Sequence, residues 1–133
     1  MNTGDHARKF LVNALQQAIT DGSNWSYPLW ECIRAYQGVE FMTSGRGAAH
    51  SGAVSFSYQL KISSKSGQET EELVITTRAQ GKTITRSSVE LALSRALEVM
   101  EQEGRVRGPK KMGQIFGGSY LYAMFVTWGL IRP

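Results

Sequence analysis

The chain has 133 residues, 41% hydrophobic and 20% charged, with a net charge of +4 and an isoelectric point near 9.4. That length buries a core without disulfides or metal, and no stretch reaches the roughly eighteen apolar residues that a membrane span needs. A single cysteine, Cys32, excludes an internal disulfide and any cysteine-rich zinc site, and two histidines exclude a multi-histidine metal centre.

Residues Asp5–Thr20 repeat apolar side chains at Phe10, Leu11, Ala14, Leu15, Ala18 and Ile19, which predicts a helix with one apolar face, Asp5 as its cap and Asp21-Gly22 as its stop. Pro28 fits the first turn of a second, short helix over Pro28–Tyr36. A short strand follows at Val39–Met42, then the loop Thr43–Gly52, whose glycines and small polar residues build no regular element. The strictest pattern in the chain is Val54–Ile62, where apolar and polar residues alternate without a break, the mark of a half-buried strand. A polar turn at Ser63–Gln68 leads to a partner strand over Glu72–Arg78, and a last short strand is expected at Thr83–Ile84.

Ser87 or Thr85 caps the next helix, with Glu90 completing a capping box from Ser87. Val89, Ala92, Leu93, Ala96, Leu97 and Met100 share the face that packs on the sheet, and Gly104 ends the helix. Two short helices are expected beyond it, Lys110–Phe116 and Ser119–Trp128, with Ser119 as cap and Gly129 as stop. The fold class is α+β: a small antiparallel sheet of three to four strands packed against helices, with a C-terminal helical segment, in a single domain over residues 1–133.

The most charged segment directly follows Gly104. Arg105, Arg107, Lys110 and Lys111 place four cations in seven residues with no acid among them, while Gly108 and Pro109 turn the chain. Lysine and arginine in such a loop neutralise phosphates whatever the base sequence, and Arg78, Lys82 and Arg86 extend the surface if the fold brings them near. The alternative is a solvated loop that serves only solubility.

Tyr120–Trp128 resembles the second helix of a helix-turn-helix by position, yet it offers almost no polar side chain to base edges, so a buried helix is the expectation. No wing follows before Pro133. Gly113–Ser119 lacks the lysine that a phosphate loop needs before its serine, so no nucleotide-triphosphate site is expected. Arg46 and His50 make the Thr43–Gly52 loop a candidate contact surface, without the carboxylate that a catalytic triad requires. The aromatic cluster Trp25, Tyr27, Trp30 and Tyr36 has the residue types that stack bases in single-strand binders and, more commonly, fill a core or a partner interface, and Cys32 among them reads as a buried, inert thiol.

From Lys82-Thr83-Ile84-Thr85-Arg86 through Val89-Glu90-Leu91-Ala92 and Gly108-Pro109-Lys110-Lys111 to Ser119-Tyr120-Leu121-Tyr122 and Gly129-Leu130-Ile131, the C-terminal half resembles short proteins of gut Firmicutes that are often associated with mobile elements or phages. The resemblance covers about fifty residues and implies a small intracellular accessory protein, such as a DNA-associated factor or an inhibitor of a host enzyme. It assigns no residue a role.

The leading expectation is a non-enzymatic binding protein that uses no cofactor or metal and contacts nucleic-acid phosphates without base specificity. The rival is a protein-interaction module or homo-oligomer subunit using Trp25, Trp30, Arg46 and His50. A small enzyme built on Glu31, Glu40 and His50 ranks third. The N-terminal MNTGDHARKF lacks the apolar centre of a signal peptide, which together with the lone cysteine makes the cytoplasm the expected compartment.

Overall fold

A computed structural model describes residues 3–43, 53–77 and 82–133. It divides into two compact units, Met1–Gln37 and Gly38–Pro133. The first is a pair of packed helices, α1 (Thr3–Thr20) and α2 (Ser26–Ala35). Asp5 lies inside the first turn of α1 rather than capping it, and pairs with Arg8 at 3.5 Å. The stop at Asp21-Gly22 holds: Gly22 takes a left-handed φ of 70° and Ser23 N donates back to Ala18 O. α2 starts two residues before Pro28, which sits in the first turn, where its missing N–H has no helical partner to lose. Leu15, Leu29, Cys32 and Ile33 are fully buried in this unit.

The second unit is α+β. Four strands, β1 (Phe41–Met42), β2 (Ser55–Ile62), β3 (Glu69–Thr76) and β4 (Lys82–Thr85), form an antiparallel sheet in the order in which they occur. Alternation sends Phe56, Tyr58 and Leu60 of β2, Leu73 and Ile75 of β3 and Ile84 of β4 into the core. β3 begins three residues before the expected start at Glu72. The turn closed by Ser63 N to Gln68 O sets Glu69 opposite Ile62, and polar side chains pair as well as apolar ones on an exposed stretch of ladder.

Helix α3 (Arg86–Glu103) packs on β3 and β4. Thr85 is its cap, with Oγ1 accepting from Ser88 N, and Glu90 turns to Arg86 at 3.5 Å instead of closing a capping box. Gly104 ends the helix in the left-handed conformation, φ 77°. A single 3-10 turn (Pro109–Met112) replaces the expected Lys110–Phe116 helix, and α4 (Gly118–Thr127) closes the core through Leu121, Tyr122, Ala123, Met124 and Phe125. The start of α4 is fixed by Gly117 rather than by Ser119. Gly117 has φ 77°, and a Cβ there would overlap the Ile84 side chain, so backbone and packing both require glycine. Phe41 stacks on Phe56 with ring centroids 5.6 Å apart and meets Trp128 edge-on at 6.1 Å, which ties β1 to the end of α4.

Candidate functional site

The basic loop is held in place by the residue at its centre. Val106 is fully buried: its N–H donates to Arg132 O at 2.7 Å, and its carbonyl accepts from the Tyr122 hydroxyl at 2.6 Å. Burial pushes the Tyr122 pKa up, against the opposing charge of Arg105, so the hydroxyl stays a donor. With Val106 turned inward, Arg105 and Arg107 on either side are exposed. Buried Met112 anchors the other end of the loop, where the Arg95 guanidinium donates to Met112 O at 3.4 Å.

Beside the loop lies an open groove of about 1260 Å³, whose lining combines three parts of the second unit: β4, the basic loop and the glycine-rich segment leading into α4. Four cations line it, Lys82, Arg107, Lys110 and Lys111, and none of the described lining residues is an acid. Thr43 and Val54 close one side, with Thr43 N donating to Val54 O and Val54 N to Thr43 Oγ1.

Aromatic rings sit among these charges. The Lys82 ammonium lies 5.6 Å from the Phe116 ring centroid and 5.8 Å from that of Tyr120, within cation–π range. Phe116 is 59% exposed. Tyr120 is backed by Phe56, edge to face at 4.9 Å, so the groove's inner ring rests on the sheet core. Strand alternation explains the position of Lys82: it shares a sheet face with Ile84, two residues on, and at the strand's start that face opens onto the groove.

The cations expected to form one surface divide. Arg107, Lys110 and Lys82 line the groove with no carboxylate partner among the described residues. Lys111 also lines it but pairs with Glu103 at 3.5 Å. Arg105 is exposed outside the groove lining. Arg86 is bound to Glu71 and Glu90 and is not among the described residues lining the groove. Arg78, Arg46 and His50 lie outside the described residues.

In the first unit, Trp30 is only 8% exposed, which assigns its ring to the interior, and Trp25 is half-buried. Tyr27, hydrogen-bonded to Glu31, is the exposed aromatic of that segment. Burial pushes the Cys32 thiol up to about 12, so the nucleophilic thiolate does not form near neutrality. Glu40 accepts a hydrogen bond from Ser55. Among the described residues no group of three or more His, Cys, Asp or Glu side chains is placed to hold a metal, and no helix is long and apolar enough to cross a membrane.

Phe116 and Tyr120 were not singled out as site residues by the sequence. A signal was nonetheless there: Phe116 is an isolated aromatic between Gly113 and Gly117-Gly118, outside the apolar periodicity of α4, and such a ring has no helix face on which to bury itself. No protein-family model, curated protein or solved structure matches the chain.

Proposed function

We propose that this protein is a non-enzymatic nucleic-acid-binding protein, which contacts phosphates through the groove lined by Lys82, Arg107, Lys110 and Lys111. The observation that carries the reading is the sign of that lining: four cations from two separate segments and no acid among the described lining residues. A surface kept basic only for solubility has both signs interspersed, whereas concentration of one sign in a concavity focuses the field on an anionic ligand. Lysine and arginine on phosphate carry no base information, so binding is expected to be independent of sequence. A DNA-associated accessory role fits this reading.

The test is a salt titration with a labelled oligonucleotide, followed by fluorescence anisotropy. Log affinity is expected to fall linearly with log salt, by about 0.7 to 0.9 per phosphate contact. Combined replacement of Lys82, Arg107, Lys110 and Lys111 by alanine flattens that line. Absence of binding at low salt ends the reading, and capture of one stable protein partner that survives the four replacements favours the interaction-module alternative.

A further inference from the structure

We infer that the ligand of this groove is single-stranded nucleic acid, with a base stacked on Phe116. The inference rests on the phosphate-binding reading above and adds what the charges do not specify, the strandedness of the ligand. Charge alone argues for the opposite preference. A duplex has the denser phosphate array and releases more counterions per contact, so a purely cationic site binds double strands at least as well as single ones.

The aromatic side chains supply the selectivity. Phe116 is a large apolar ring 59% exposed within a cationic groove, and a flat apolar partner that covers it gains the free energy of removing that surface from water. In a duplex the base faces are already covered by their neighbours. In a single strand they are open, and every base presents a π-face, so stacking is tolerant of sequence just as the phosphate contacts are.

The spacing suits one strand. The Lys82 ammonium is 5.6 Å from the Phe116 centroid and 5.8 Å from that of Tyr120, so a phosphate held by Lys82 has an aromatic surface within one nucleotide's reach. Arg107 and Lys110 add positive charge to the same lining. At about 1260 Å³ the groove exceeds the roughly 300–1,000 Å³ of a site for one drug-sized molecule, which suits a short run of nucleotides. Tyr120, braced on Phe56 at 4.9 Å, gives the platform a rigid floor.

The experiment compares a labelled 12-nucleotide oligothymidylate with a blunt duplex at the same low salt, using the full chain. The single strand is expected to bind at least about 10-fold more tightly. Phe116→Ala is expected to weaken single-strand binding by about 5-fold to about 150-fold, the range of one lost base stack, without flattening the salt dependence. Phe116→Trp retains the affinity, and thermal melting checks that both variants are folded. Equal or tighter duplex binding overturns the inference and leaves phosphate binding standing. A single-strand preference that survives Phe116→Ala also overturns it. Failure of both probes to bind removes the phosphate reading and this inference together.

Discussion

Two groups of cations in the second unit differ in what surrounds them. At the junction of β3 and α3, Arg86 is taken up by Glu71 and Glu90, and nearby on the sheet Lys61 faces Glu72 at 3.9 Å. At the groove, Lys82, Arg107 and Lys110 have no described carboxylate beside them. The first arrangement tends to neutrality, and such exposed pairs contribute little to stability. The second leaves its positive charge uncompensated by any acid among the described lining residues. Availability, not the number of lysines and arginines, distinguishes a binding surface from a solvated one.

The largest expected effect breaks the groove side of this contrast at its backbone. Gly117→Ala places a side chain at positive φ against Ile84, and is expected to cost about 2–4 kcal/mol in chemical denaturation, combining left-handed strain with overpacking. A cost below about 0.5 kcal/mol would mean that the turn carrying Phe116 is not held as described.

Next in size is a direct comparison of the two groups by oligonucleotide affinity at low salt. Arg107→Ala with Lys110→Ala is expected to weaken binding by about 10-fold to 100-fold through two lost phosphate contacts. Arg86→Ala is expected to leave affinity within about twofold and to lower stability by no more than about 1 kcal/mol. Equal losses in both variants would erase the distinction.

Tyr122→Phe removes the donor to the Val106 carbonyl, and a loss of about 1–2 kcal/mol is expected for a buried acceptor left unpaired. The same group shapes the alkaline limb of stability. Its folded pKa is raised above 10.0, so the stabilisation is fully present below that pH and is lost as pH climbs past it. Cys32 acts in the same direction from about 9.0 towards about 12. Denaturation midpoints should therefore fall above pH 9, and Tyr122→Phe should make the upper part of that fall shallower.

The smallest effect sharpens the contrast. Lys111 is the groove cation with a described ion pair, to Glu103, and Glu103→Gln releases it. Affinity is expected to rise about twofold to fivefold, and the salt slope to steepen by up to about 0.7.

The sheet was legible because its code is local. The alternation of Val54–Ile62 announced β2, and the β-branched run after the polar turn announced β3. The apolar face of α3 and its glycine stop were equally plain. Helix caps were less so: Thr85 competed with Ser87, and Ser119 was expected where Gly117, packed against Ile84, precedes α4. The groove was legible only in part. The basic loop is contiguous and was visible, but the partners of each cation are not: Arg86 and Lys82 are four residues apart in sequence, yet one meets carboxylates and the other aromatic rings. Strand alternation at Lys82 and the helix start at Arg86 point them to different surroundings, and nothing in composition states which acid or ring waits there.

Val106 has a kinetic consequence. Because its two backbone bonds already fix the lip that carries Arg107, an anion arriving there would meet a backbone that is already ordered, with little left to impose on arrival. Association should then be governed by long-range attraction, fast and strongly slowed by salt, while the lifetime of the complex is set by short-range contacts formed afterwards.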